Sequence, residues 1–293
     1  MKLLVTGASG QVGSEFRKHQ ELSKEHQLIE LSRQGLDITQ AAAVDSILQQ
    51  YQPDLIVNTA AYTKVDMAEQ ASELAHAVNA QGPAYLAAAC AKLQIPLIHI
   101  STDYIFDGEK ATPYTEEDMP NPQSVYGKTK WLGEVAIREA LNTHIILRVS
   151  WVYGVQGHNF VKTMLRLGRE KDRLTIVDDQ IGGPTAAKEI VDAIYRIVSK
   201  IAVGEVIWGT YHFCGAPFVS WYQFAQAILD IAAQYEVLKV QEIAAIKTEN
   251  YPLPARRPKN SILSCEKIIS HLDIKPQPWM NALTAVIQEL YDE

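Results

Sequence analysis

The feature that most constrains this chain lies at its start. An apolar run, Lys2–Thr6, leads directly into Thr6-Gly7-Ala8-Ser9-Gly10-Gln11-Val12-Gly13, and an amphipathic stretch, Val12–His19, comes next. In such a junction Gly7 permits the tight turn, Gly10 lets the backbone approach a pyrophosphate, and Gly13 lets the helix pack close to the sheet. The free N–H groups and positive dipole end of the helix then face the phosphates. Glycine spacing alone is a weak signal. Its placement between a strand and a helix is what makes it a dinucleotide-binding loop. Gly7, Gly10, Gln11, Val12 and Gly13 are therefore the first candidate cofactor contacts.

The rest of the first half alternates short apolar runs with longer amphipathic ones. Strands are predicted at Lys2–Thr6, Gln27–Leu31, Asp54–Asn58, Pro96–Ser101 and His144–Ser150. Between them the periodicity predicts helices over Val12–His19, Ala41–Gln50, Ser72–Lys92 (in two pieces, broken near Gly82-Pro83) and Tyr126–Leu141. Strands that are apolar throughout, alternating with helices, indicate an α/β fold: a Rossmann-like, doubly wound parallel sheet covered on both faces. After Trp151 the pattern weakens to helices at Asn159–Arg169, Lys188–Val198, Trp221–Gln234 and Pro278–Leu290, with strands at Leu174–Val177 and Tyr211–Cys214. The expected division is a dinucleotide-binding domain over 1–152, to which segments of about 180–214 return. A smaller C-terminal substrate lobe would comprise about 153–179 and 215–293.

Composition narrows the function classes. The 293 residues suggest about two domains, and 47% hydrophobic with 21% charged residues is ordinary for a packed protein. The net charge of −7 gives no basic stripe for nucleic acid, so an anionic ligand must be caught by local donors. Cys90, Cys214 and Cys265 form no CxxC pair and read as buried thiols of a reducing compartment. Leu3-Leu4-Val5 is too short for a signal segment, and no run reaches the ~18 apolar residues of a membrane span. The expectation is a soluble, cytoplasmic protein with no membrane partner.

The end of the second strand bears on the choice of dinucleotide. An acid about 20 residues beyond the glycine loop would bind a ribose 2′-hydroxyl. Here the chain reads Glu30-Leu31-Ser32-Arg33. The Ser32 hydroxyl and Arg33 guanidinium suit a 2′-phosphate, which favours NADPH while leaving NADH open. Glu30 would oppose it if it pointed inward. Asp37-Ile38 can hold the adenine edge, or Asp37 can cap the next helix.

Tyr126 and Lys130 stand at i and i+4 and share one helix face. Tyr235 and Lys239 repeat the spacing, so context matters. The fourth strand ends in Ser101-Thr102-Asp103, at the sheet edge where a cofactor crevice would lie. The chemistry that needs these groups is carbonyl reduction: as hydride arrives, an acid must protonate the growing alkoxide. A lysine ammonium one turn from a phenol would lower its pKa, and the Thr102 hydroxyl can donate a second bond to the oxyanion. A strand-end cap at Thr102-Asp103 and a partly buried aromatic at Tyr126 are the plain alternatives.

With these residues in view, the chain resembles the extended short-chain dehydrogenase/reductases, and among them the dTDP-4-dehydrorhamnose reductases. The resemblance spans nearly the whole chain. It rests on Thr6–Gly13, Asn58-Thr59-Ala60-Ala61-Tyr62-Thr63, Ser101–Gly108, Tyr126–Lys130 and Val149-Ser150-Trp151-Val152-Tyr153-Gly154. It continues through Asp179-Gln180-Ile181-Gly182-Gly183-Pro184-Thr185 and Ala255-Arg256-Arg257-Pro258-Lys259-Asn260-Ser261. It implies that Thr102, Tyr126 and Lys130 form the catalytic set and that Lys130 also holds the nicotinamide ribose. Ala60, Ala61, Tyr62 and Thr63 would line the cofactor. Val65, Asp66, Asp103, Tyr104 and Trp151 would face the sugar of a dTDP-sugar substrate, with Asn159 and Arg257 toward its diphosphate. Sequence alone leaves Trp151 equally open to lobe packing, and Arg256-Arg257 to a solvated basic pair. The implied reaction is NADPH-dependent reduction of the 4-keto group of dTDP-4-dehydro-β-L-rhamnose. A related epimerase or dehydratase, and a non-catalytic NADP-binding subunit, are the alternatives. No metal-binding residues are assigned. Glu15, Glu189 and the acidic C-terminus read first as scattered surface acids, and second as a Mg²⁺ site across a homodimer interface.

Overall fold

The computed structural model describes residues 1–205 and 208–292. Positions 206, 207 and 293, which fall in the expected returning segment and at the end of the expected lobe, lie outside the described residues. The first half of the chain alternates β1 (Lys2–Thr6), α1 (Gln11–Lys18), α2 (Gln20–Glu25), β2 (Gln27–Leu31), α3 (Ala41–Tyr51) and β3 (Leu55–Asn58). Next come α4 (Val65–Ala68), α5 (Ser72–His76), α6 (Gly82–Leu93), β4 (Leu97–Thr102), α7 (Val125–Ala140) and β5 (His144–Val149). The second half contains β6 (Val152–Tyr153), α8 (Phe160–Glu170), β7 (Arg173–Val177), β8 (Ile181–Gly182), β9 (Thr185–Ala186), α9 (Ala187–Ala202) and β10 (Gly209–Phe213). It closes with β11 (Val219–Ser220), α10 (Trp221–Ala232), β12 (Glu242–Ile246), α11 (Glu266–Leu272) and α12 (Trp279–Asp292).

Six strands form one parallel sheet in the order β10-β5-β4-β3-β1-β2. The strand order turns back beside β1, so a crevice opens at the carboxyl ends of β1 and β3. Successive side chains leave opposite faces of a strand, and both faces here are dry. Leu3, Val5, Ile145 and Leu147 pack with Phe16 of α1, Ile190 and Ile194 of α9 and Ile268 of α11. Leu4, Ile56 and Ile146 pack with Leu48 of α3, Leu86 of α6 and Ile137 of α7. Helix α9 and strand β10 thus belong to the sheet and its covering layer, although they come after Trp151. A separate core joins Tyr153, Val161 and Met164 to Phe224, Ile228, Trp279 and Leu283, and so ties α8, α10 and α12 together.

The expected break near Gly82-Pro83 is displaced. A π-helical turn, Ala77–Gln81, joins α5 to α6, and α6 begins at Gly82. Pro83 falls in the first turn of α6, where a missing N–H costs little. The sequence reading also missed α2, α4, α11 and β12. The last is a mostly half-exposed strand that, among the described residues, pairs with β7 alone. No helix among the described residues is long and apolar enough to cross a membrane.

One buried ion pair fastens α7 to the sheet. Glu134 accepts from Arg148 Nη2 at 2.8 Å and Nε at 3.1 Å, and neither side chain is more than 2% exposed. Arg138 adds a third donor at 2.5 Å. Removing one partner of such a pair strands a charge, which costs about 3–5 kcal/mol, whereas an exposed pair contributes ~0–1 kcal/mol. We therefore expect Glu134→Ala to shift the denaturant midpoint of unfolding strongly downward. Glu289→Ala, which removes the exposed partner of Lys18, should leave it almost unchanged. Equal midpoints for the two variants would refute this role for Glu134.

Candidate active site

The site assembles where β4 ends against the start of α7. Ser124 caps α7 by accepting from Gly127 N at 3.1 Å, which places Tyr126 in the first turn and Lys130 one turn further on. Gly127 has no side chain for a steric reason: a Cβ there would stand 2.1 Å from the Tyr104 carbonyl oxygen. That close approach brings the turn Asp103–Ile105 against the helix. Tyr104 N donates to Thr102 Oγ1 at 3.2 Å, and Thr102 Oγ1 donates to Asp103 Oδ1 at 3.0 Å. The Thr102 hydroxyl neighbours the Tyr126 phenol, and the Tyr104 ring meets the Tyr126 ring edge-on at 5.5 Å. Lys130 is 2% exposed; its Nζ donates to Ile100 O at 2.6 Å and lies 3.2 Å from His99 Nε2. Thr102, Tyr126 and Lys130 are thus gathered around the end of one strand.

Burial sets the acidities. It pushes the Tyr126 phenol up to about 12, an effect opposed by the neighbouring Thr102 hydroxyl and assisted by the Asp103 carboxylate. It pushes the Asp103 carboxyl up to about 7, against its bond from Thr102. It pulls Lys130 down to about 8, with Glu134 pulling the other way. The expectation that the Lys130 ammonium lowers Tyr126 is therefore not met in this state. Lys130 is turned to the β4 backbone and His99, and desolvation governs the phenol.

The glycine loop forms a cradle suited to a dinucleotide. Gly7 has φ +70, and a Cβ there would stand 2.6 Å from Ala60 N, so the loop and the Ala60–Thr63 segment lie in contact. Helix α1 starts from an extended Gly10, with no side-chain cap and no acid in its first turn. Its leading N–H groups are left for an anion. The Val12 side chain belongs to the core, and Gln11 Oε1 accepts from Asn159 Nδ2 at 2.9 Å. Asn79, which the sequence reading missed, holds the facing loop: Tyr62 N donates to Asn79 Oδ1 at 2.8 Å and Asn79 Nδ2 to Tyr62 O at 3.0 Å. A lone Asn in an Ala-rich helical run is the only trace of that role in the sequence.

Beyond β2, Glu30 is taken up by Arg17 of α1 at 3.2 Å. Arg33 is exposed beside Ser32, with Nε 3.3 Å from Asp37 Oδ2. Asp37 Oδ1 accepts from Thr39 N and Oγ1, and Ile38 is buried in the core under α3.

On the other side of the crevice, Asp66 comes directly after Val65 in α4 and forms a two-pronged pair with Arg257, at 3.0 and 2.7 Å. Ala255 N adds a bond to Asp66 Oδ1 at 3.2 Å. Arg256 is held outside by Glu109 at 2.7 Å. A cleft of about 340 Å³ opens beside them, lined by Gln180, Tyr251, Arg256, Arg257 and Lys259 among others. The Trp151 ring stacks on Trp221 at 3.5 Å, and its Nε1 donates to Ser261 Oγ at 3.0 Å. Asn159 caps α8, and its Nδ2 is spent on Gly154 O and Gln11. A diphosphate contact at Asn159 would require breaking those bonds. Among the described residues no three His, Cys, Asp or Glu side chains are placed to hold a metal ion. Glu15 and Glu289 instead share the Lys18 ammonium, at 3.9 and 2.6 Å.

Known proteins share this sequence and fold. The family described as "RmlD substrate binding domain" matches residues 1–292. A dTDP-4-dehydrorhamnose reductase of Aggregatibacter actinomycetemcomitans is 45% identical over 284 residues, 96% of this chain and 97% of that one. The crystal structure of a dTDP-4-dehydrorhamnose reductase from Clostridium acetobutylicum superposes with a TM-score of 0.92 at 37% identity, covering 99% of both chains. One from Bacillus anthracis, solved in complex with NADP, superposes with a TM-score of 0.91 at 34% identity over 98% of this chain and 99% of that chain. Sequence and fold agree, and the chain belongs to the RmlD substrate-binding-domain family.

Proposed function

We propose that this protein is an NADPH-dependent oxidoreductase that reduces the 4-keto group of dTDP-4-dehydro-β-L-rhamnose to give dTDP-L-rhamnose. The observation that carries the reading is the gathering of Tyr126 in the first turn of α7, Thr102 at the end of β4 and a buried Lys130 bonded to the same strand. A nicotinamide cofactor bound along the glycine loop supplies the hydride. The chain's own part is to receive the charge that forms on the carbonyl oxygen. Tyr126, held protonated by burial, gives that oxygen its proton, and Thr102 offers it a second hydrogen bond. The low dielectric of the site strengthens both interactions. Arg257 and Asp66 would turn from each other to the sugar nucleotide. Residues 1–152 with 180–214 would hold the dinucleotide, and 153–179 with 215–293 the sugar nucleotide. Asp103 is followed by Tyr104, whose phenol burial keeps neutral, so the second acid expected of a dehydratase is missing. The presence of Thr102, Tyr126 and Lys130 together favours catalysis over a purely regulatory role. The preference for NADPH is supported by Arg33 and Ser32 beside an otherwise engaged Glu30. A cytoplasmic site of action fits three unpaired cysteines.

The direct test is an assay of dTDP-4-dehydrorhamnose with each nicotinamide and identification of the product; no consumption of either cofactor would defeat the proposal. Tyr126→Phe should lower kcat by about two orders of magnitude while cofactor Kd stays nearly constant. An unchanged kcat would remove Tyr126 from proton transfer. Arg33→Ala should weaken NADPH about tenfold through loss of a charge-assisted bond and leave NADH almost unaffected. Equal losses for the two cofactors would refute the 2′-phosphate contact.

A further inference from the structure

A hydrogen-bonded row crosses the sheet beneath the site. Thr6 of β1, Asn58 of β3 and His99 of β4 occupy one register, and all three are fully buried. Thr6 Oγ1 donates to Asn58 Oδ1 at 2.6 Å, and Ala60 N donates to the same oxygen at 3.1 Å. Asn58 Nδ2 lies 2.9 Å from His99 Nδ1, and His99 Nε2 lies 3.2 Å from Lys130 Nζ. The directions of these bonds follow from one donor that cannot reverse. The Ala60 backbone N–H fixes the Asn58 oxygen toward itself, so the Asn58 NH₂ group must face His99. His99 Nδ1 is then an acceptor, and a neutral imidazole carries its single proton on Nε2, aimed at Lys130. An ammonium has no lone pair to receive that proton. A neutral amine does, and it can still give a hydrogen to Ile100 O at 2.6 Å.

We propose that His99 is a positioning residue for Lys130. Its Nε2–H seats the lysine as a neutral amine in the cofactor-free protein, and Lys130 takes up a proton from solvent only when new acceptors reach it. The inference rests on the reductase reading for its catalytic meaning, but its geometry does not depend on that reading. The surroundings agree. Burial draws Lys130 down to about 8 and holds His99 well below the usual imidazole range. On the lysine's own helix, Glu134 is neutralised by Arg148 and Arg138, and Tyr126 has the Thr102 hydroxyl as a neighbour. From β4 it meets His99 and the Ile100 carbonyl, with the buried Asp103 at the strand end. An imidazolium at His99 would set Nδ1–H against the Asn58 NH₂ group, so it is excluded by the same donor count. With no cation beside it, Tyr126 keeps its proton and stands ready as an acid.

The test is an NMR titration of the lysine side-chain signals in cofactor-free protein, with Lys130→Met to identify the signal. Lys130 should titrate below about 7, so that the amine predominates at neutral pH, against ~10.4 for ordinary lysines. His99→Asn keeps an acceptor for Asn58 but cannot reach Nζ. It should raise the Lys130 midpoint by about one pH unit or more by removing a bond to the neutral form. If that variant does not fold, His99→Gln, which can offer an oxygen to an ammonium, should shift it the same way. A wild-type midpoint among the other lysines would overturn the proposal. So would a low midpoint that neither folded variant moves, because burial alone would then account for it. Calorimetric titration with NADPH in two buffers of different ionisation heat should show proton uptake that the His99 variants reduce, and no difference in uptake would also overturn it. Absence of any NADPH binding would count against the reductase reading and leave the lysine titration standing.

Discussion

The close approach of α7 to the end of β4 is the contact on which the site depends. It exists because position 127 carries no side chain where one would run into the Tyr104 carbonyl. Ser124 fixes where the helix starts, and the Glu134–Arg148 pair pins its middle to β5. Between these two anchors lie Tyr126 and Lys130, each held against the strand that ends in Thr102. Neither anchor takes part in the proposed chemistry, yet both determine where Tyr126 and Lys130 stand relative to Thr102.

Burial gives the site a common electrostatic character. The Tyr126 phenol and Asp103 carboxyl are pushed up, and Lys130 and His99 are pulled down. Each shift favours the uncharged form. A chain with a net charge of −7 thus keeps its reacting centre close to neutral. The charged groups stand at the margins, with Arg257 against Asp66 and Arg33 against Asp37. Anionic parts of a ligand would be met there, one local pair at a time, while the carbonyl enters a dry interior.

The sheet was legible because its strands are dry on both faces and therefore apolar without interruption, as in Leu3-Leu4-Val5 and Ile145-Ile146-Leu147. The glycine loop and the Tyr126–Lys130 spacing were legible because local geometry requires them. What could not be read was which distant partner each polar group would meet. Asp66 and Arg257 lie 191 positions apart, Gln11 and Asn159 lie 148 apart, and Asn58 and His99 lie 41 apart. Two of these contacts join groups to which the sequence had assigned separate roles. Trp151 was open between ligand and packing, and Trp221, on which its ring stacks, carried no local sign of being its neighbour. Strand β12 escaped because it is a mostly half-exposed edge without an apolar alternation to mark it.

The stacked indoles have a spectroscopic consequence. Trp151 comes just after β5 with φ +48, and Trp221 opens α10. The two rings are therefore carried by different parts of the architecture, yet they lie 3.5 Å apart and within 6° of parallel. Chromophores that close couple their electronic transitions, and the coupling decays steeply with separation and tilt. Near-ultraviolet circular dichroism should consequently contain a signal belonging to this pair alone, an intrinsic gauge of how firmly the smaller lobe is seated on the sheet.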